Sequence, residues 1–206
     1  MASPFATMPT YICGIDPGTH NLAVSIIDAK TKEIVYLNNE NLFLEHIPGK
    51  GEVQWEFDPK LIPFYLEKYY ATNKLIFSKV SLCVVEHQLT ERMQRVAFGL
   101  EALFSQYGRA VTIHPSTIKA WAGTRKGEYA KNKRAAVAWC NHNLAGVNLD
   151  RFREFERKGV KSDDVADALM LALYASAHYE ELSKVVLVEK GLHKKKKQRR
   201  KKPNQK

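Results

Sequence analysis

Residues 80 to 85, within KVSLCVVEHQ, are apolar almost without a break, the pattern of a strand buried on both faces. A strand of that kind needs covering layers above and below its sheet, which points to an α/β architecture. Upstream, the segment YICGIDPGTHNLAVSIIDAKTKEIVYLNN holds strand-like runs at 11–15, 22–27 and 34–37. The turn chemistry of DPGTHN and AKTK between them predicts an antiparallel three-stranded meander. A fifth short strand is expected over 111–114, so the expected sheet is mixed and five-stranded.

Helical spacing fills the remainder. Ile62, Tyr65, Leu66 and Tyr69 follow Pro59, although Pro63 shifts the regular helix toward itself. Residues 90 to 107 present Met93, Val96, Ala97, Leu100, Leu103 and Phe104 as one stripe, with Phe98 off that face and Gly108 as the stop. A helix is expected over 129–142, and a last one from Ser162, as N-cap, to about Tyr179. Residues 38 to 58 read as a loop, and 115 to 134 as a polar, basic stretch.

The chain has 206 residues and a net charge of +10. Ten of its 32 Lys and Arg lie in residues 190 to 206, which hold no acid; the remainder carries 22 basic and 22 acidic residues. The expected organisation is a flexible stretch over 1–9, one domain over 10–189, and a disordered basic tail over 190–206. Cys13, Cys83 and Cys140 are too scattered for a disulfide scaffold or a zinc module. Neither a membrane span nor a signal peptide is visible, so a soluble intracellular protein is expected, with no membrane partner.

Four acids stand where core is expected or where a strand ends. Asp16 closes the first strand and Glu86 the buried one. Asp164 and Asp167 are three apart on the last helix and so share a face. Glu86 and Asp167 sit among apolar neighbours, where an ionised carboxylate is costly unless compensated. Gathered carboxylates raise one another's pKa, and a divalent cation is the usual remedy. Oxygen-only ligands favour Mg2+ or Mn2+, and two such ions about 4 Å apart can activate water against a phosphodiester. Taken singly, Asp16 also reads as a turn residue, and Asp163 and Asp164 as acids suited to a helix N-terminus.

GIDPGTHN at 14–21, VVEHQ at 84–88 and SDDVADAL at 162–169 resemble the three acidic motifs of the RuvC-like Holliday junction resolvases of the ribonuclease H superfamily. The likeness leans toward those of poxviruses and other large cytoplasmic DNA viruses. It implies a ribonuclease H-like fold, with helices flanking the sheet, and a homodimer. It also implies Mg2+-dependent nicking of opposed strands at a four-way DNA junction, in recombination or viral concatemer resolution, leaving 5′-phosphate and 3′-hydroxyl ends. Two Mg2+ per site are implied, with Mn2+ as a substitute. Asp16, Glu86, Asp164 and Asp167 match the catalytic, metal-binding acids. Asp163 is extra, an outer-shell group or a competing ligand, so which member of the adjacent pair binds metal is open. Gln88, sharing a face with Glu86, and Lys161 stand beside the ligands.

The resemblance also places DNA contacts at Lys119, Arg125, Lys126, Lys131, Lys133 and Arg134, around Pro115, Gly123 and Gly127. A viral origin would place the protein in the host cytoplasm, while the basic tail equally suits the nucleus. A nuclease of the same fold acting on RNA:DNA hybrids or other branched DNA would need the same acids. An actin-type or sugar-kinase-type nucleotide binder shares the first loop, but needs about twice this length and a second phosphate segment.

Overall fold

The computed structural model describes residues 11–47, 49–56, 58–107, 110–124, 129–159 and 161–182, with the backbone alone at 46, 47, 107 and 129–133. The N-terminal stretch, the basic tail, Gly108, Arg125, Lys126 and Gly127 therefore lie outside the described residues.

β1 (Tyr11–Asp16), β2 (Leu22–Asp28) and β3 (Ile34–Glu40) form the expected antiparallel meander. A separate hairpin, β4 (Leu44–Ile47) with β5 (Gly51–Gln54), replaces the loop expected over 38–58. Gly49 and Gly51 have φ of 80° and 77°, which supply its tight reversal; the same glycines had suggested irregular chain. Asp58 then caps a 3-10 turn at Pro59–Leu61, its side chain accepting from Lys60 N. The regular helix α1 begins at Ile62, with Pro63 in its first turn, and ends at Thr72. A single turn, α2 (Lys74–Phe77), leads into β6 (Val80–Glu86).

α3 (Glu91–Tyr107) buries Val96, Ala97, Leu100, Leu103 and Phe104 as the stripe predicts, and leaves Phe98 57% exposed. β7 (Ala110–Ile113) follows, one residue earlier than expected, because His114 is the N-cap of an unforeseen helix, α4 (Pro115–Trp121). α5 (Tyr129–Asn143) matches expectation, whereas α6 (Gly146–Arg157) had no counterpart in the reading. The last helix, α7, spans Ser162–Ala177. Ser162 is its first helical residue rather than its cap; Lys161 takes the cap position, with no side-chain cap bond.

The strand order is β3-β2-β1-β6-β7, with β6 parallel to both β1 and β7. Alternate residues of the central strands feed two cores. Ile12, Leu82 and Val84 face α5, α6 and α7, while Cys13, Ile15, Cys83 and Val85 face α1 and α3. The sheet is thus covered on both faces, as the apolar run at 80–85 requires. The three cysteines are buried and free. Among the described residues no helix is long and apolar enough to cross a membrane.

α7 lies directly on β1 because of one residue. A Cβ added at Gly14 would sit 2.1 Å from the Ala168 carbonyl oxygen and 2.6 Å from Ala172 N. No side chain fits between strand and helix there, so the absence of one sets how closely α7 approaches.

Candidate active site

β1 and β6 are parallel neighbours with Ile15 opposite Val85, so their terminal residues, Asp16 and Glu86, emerge side by side at one sheet edge. The close packing at Gly14 brings in the first turns of α7. Asp164 is buried and lines an open cleft of about 510 Å³ together with Asp16, Glu86, Gln88, Lys119 and Lys161. Asp167, one turn further along, acts on Asp16 electrostatically. The four acids expected to meet are therefore brought together. Of the adjacent pair, Asp164 lines the cleft with Asp16 and Glu86, and Asp163 is not part of that lining.

Burial pushes the Asp16 carboxyl well above the usual carboxylate range, and the charges of Glu86, Asp167 and Asp164 push in the same direction. Burial also raises Glu86, opposed by the Lys119 ammonium and by hydrogen bonds with Asp16 and Gln88. Gln88 Nε2 donates to Glu86 Oε2 at 2.9 Å and to Asp16 Oδ1 at 3.3 Å, bridging the two strand ends. Its place on the Glu86 side follows from strand alternation. Lys161 Nζ pairs with Asp164 Oδ2 at 3.0 Å.

Among the described residues, no three His, Cys, Asp or Glu side chains stand as a ready-formed metal cage. The carboxyls present are engaged with one another and with their neighbours: Asp16 and Glu86 are hydrogen-bonded to each other and bridged by Gln88, and Asp164 is paired with Lys161. As a donor set the cluster nevertheless fits a hard divalent cation. Its oxygens are carboxylate only, and the gathered negative charge that raises Asp16 is the charge a cation would neutralise.

Other residues at the site were not legible as such. Lys119, expected to meet DNA from a basic loop, instead stands on α4 within the carboxylate cleft. Arg92 Nη2 donates to Thr19 Oγ1 at 2.9 Å and lies 3.3 Å from His20 Nε2, joining the start of α3 to the turn after β1. The available signal was that this helix follows directly on the Glu86 strand. His87, which also lines the cleft, donates its backbone N–H to the Ile113 carbonyl and stacks its ring on His114, which caps α4. Trp121 packs against Trp139 and Tyr174. Arg134 is exposed on α5, and Lys131 and Lys133 lie on the same helix, their side chains outside the described residues.

No protein-family model and no curated protein sequence matches the chain. Solved structures do. The yeast mitochondrial Holliday junction resolvase superposes with a TM-score of 0.62 at 17% identity, over 92% of this chain and 89% of that one. The fowlpox virus Holliday junction resolvase gives 0.54 at 14% identity, over 82% and 99%. RuvC of Thermus thermophilus gives 0.50 at 13%, over 84% and 96%. This chain has the RuvC-type, ribonuclease H-like fold. The fold that the acidic motifs implied is thus the fold observed. Of the two eukaryotic and viral comparisons, the higher TM-score is with the mitochondrial enzyme.

Proposed function

We propose that the chain is a divalent-metal-dependent nuclease that resolves four-way DNA junctions. The observation that carries this reading is the convergence of Asp16, Glu86 and Asp164 from two strands and a helix at one cleft of a RuvC-type fold, with Asp167 acting on Asp16 from the next turn of the helix. A binding module would gain nothing from carboxylates massed where phosphates must approach. Two of the three solved structures described above, the yeast and fowlpox ones, are named as Holliday junction resolvases, which favours a branched DNA substrate over an RNA:DNA hybrid.

In this reading Asp16, Glu86, Asp164 and Asp167 hold Mg2+, or Mn2+ in its place. When bound, the ions supply an activated water and stabilisation of the leaving oxygen, giving 5′-phosphate and 3′-hydroxyl ends. Gln88 orients the Asp16 and Glu86 carboxylates through its two hydrogen bonds. Lys119, on the cleft wall, offers its ammonium to a non-bridging phosphate oxygen. Arg134, Lys131 and Lys133 on α5, with Arg125 and Lys126 before it, would track the flanking backbone. A homodimer, paired across the exposed Phe98 side of α3, would carry two sites for two opposed nicks.

The deciding experiment uses a synthetic four-way junction with Mg2+. Asp16→Asn and Asp167→Asn should bind it with near wild-type affinity and fail to cut it; normal cutting by either would overturn the site assignment. The wild-type protein should cut the junction in preference to a linear duplex and an RNA:DNA hybrid.

A further inference from the structure

Lys161 joins a fixed backbone to a movable charge. Its carbonyl accepts from Asn39 Nδ2 at 3.1 Å, which ties the start of α7 to the edge strand β3. Its side chain is 49% exposed, whereas the Asp164 side chain it pairs with is 9% exposed. Both line the cleft with Asp16, Glu86 and Lys119. The ammonium therefore sits on a carboxylate that a divalent cation would need, and on the open side by which a phosphate backbone would enter. A cation competes with the ammonium for Asp164, and a phosphate competes with Asp164 for the ammonium.

We propose that Lys161 is an exchangeable counter-ion of Asp164. It holds the carboxylate until a DNA phosphate takes the ammonium, and only then is Asp164 fully available to a divalent cation. The Asn39 bond keeps α7 in place while the side chain swings. The inference rests on the metal-dependent nuclease reading and adds its regulation: the site loads its cations when DNA is present. By linkage, DNA raises cation affinity and cations raise DNA affinity by the same factor. The device would limit cleavage to occasions when the backbone is correctly seated.

The test is Mn2+ binding to the full-length chain, followed by water-proton relaxation, with and without a four-way junction. Without DNA, Lys161→Gln should bind Mn2+ about fivefold or more tightly than wild type, the lower range of coupling between two linked sites. Lys161→Arg, which keeps the charge, should match wild type. Lys158→Gln removes an equal charge from the exposed pair with Glu154 and should also match it. Adding the junction should tighten Mn2+ binding to wild type by a larger factor than to Lys161→Gln. The wild-type measurement alone gives a reading that does not depend on any variant folding. Lack of tightening in wild type, equal tightening in both proteins, or DNA-free binding by Lys161→Gln no tighter than by Lys158→Gln would each overturn the proposal. None of these readings involves cleavage, so an inert protein on junctions would instead count against the nuclease reading.

Discussion

Burial and the charges of three neighbouring acids all push the Asp16 carboxyl toward its protonated form. Its raised folded-state pKa means that the native state favours the neutral carboxyl. That contribution to stability is complete below the unfolded-state pKa and is lost as pH rises through the folded-state value. In the absence of divalent ions, Asp16→Asn should therefore be more stable than wild type near neutral pH. The difference should shrink toward about pH 4, and thermal melting across that range checks it. Added Mg2+ should reverse the order, because it stabilises only the chain that keeps the ligand. For the same reason, cleavage at limiting Mg2+ should rise with pH as the Asp16 proton is lost, and saturating Mg2+ should shift that rise to lower pH.

At this scale the sequence made the acids legible, because a carboxylate within VVEHQ or VADAL contradicts its own neighbourhood. It left Asp163 and Asp164 equivalent, since both are suited to a helix N-terminus and only the direction of the cleft separates them. Thr19, His20 and Arg92 carried no such contradiction. An arginine in the first turn of an amphipathic helix reads as solvated, and its bond to a turn 73 residues earlier depends on tertiary structure alone.

Among the elements, α7 against β1 is the contact on which the site depends. Gly14→Ala would press a methyl group against the Ala168 carbonyl and Ala172 N, backbone atoms that cannot turn aside. Overpacking of this kind costs about 1–3 kcal/mol. Here it should also displace Asp164 and Asp167 from Asp16, so cleavage should fall far more than the loss of stability explains. Denaturant titration and single-turnover cleavage of the same preparation would show whether the two separate. On the other side of the sheet, Phe98→Asp should leave the fold intact, because the residue lies off the buried stripe of α3. If α3 pairs across a dimer axis, the variant should sediment as a monomer and lose paired nicking.

The strands and long helices were legible because each keeps one period over several residues, and a central strand has a composition few other elements share. The hairpin β4–β5 was not, since its strands are four residues each and its glycines equally suit a loop. α4 was missed because it is only seven residues long and buries Ile118 alone, and α6 because its outward face is charged. α6 buries little beyond Phe152 and Phe155, too sparse a signal against Arg151, Arg153, Glu154, Glu156 and Arg157.

Over the whole molecule, the formal neutrality of residues 1 to 189 conceals an uneven distribution. With four acids assigned to the cleft, the other 18 face 22 basic residues, a formal +4 once those four carboxylates are set aside. The domain itself should therefore attract DNA once the cleft holds its cations, and the ten basic residues of 190–206 should add to that. Deleting 190–206 should weaken junction binding and flatten its dependence on salt, while single-turnover cleavage at saturating protein stays near wild type. Fluorescence anisotropy across a salt series, beside rapid-quench cleavage, distinguishes an accessory anchor from a part of the catalytic apparatus.

The central place of β1 has a consequence for divergence. β1 is bonded on one side to β2 and on the other to β6, α7 lies on its Gly14, and every proposed ligand is on β1 itself, on β6 or on α7. Insertions between these three elements leave the ligand positions untouched, whereas a one-residue slip within any of them turns an acid to the wrong face. Such a scaffold tolerates replacement of almost all its surface and much of its core, and overlap with the yeast enzyme at 17% identity is what that tolerance would produce. Distant chains of this kind should be easier to find by order and spacing than by residue matching. The pattern is a strand with glycine two places before its terminal acid, then an apolar strand ending in an acid, then a helix with acids three apart.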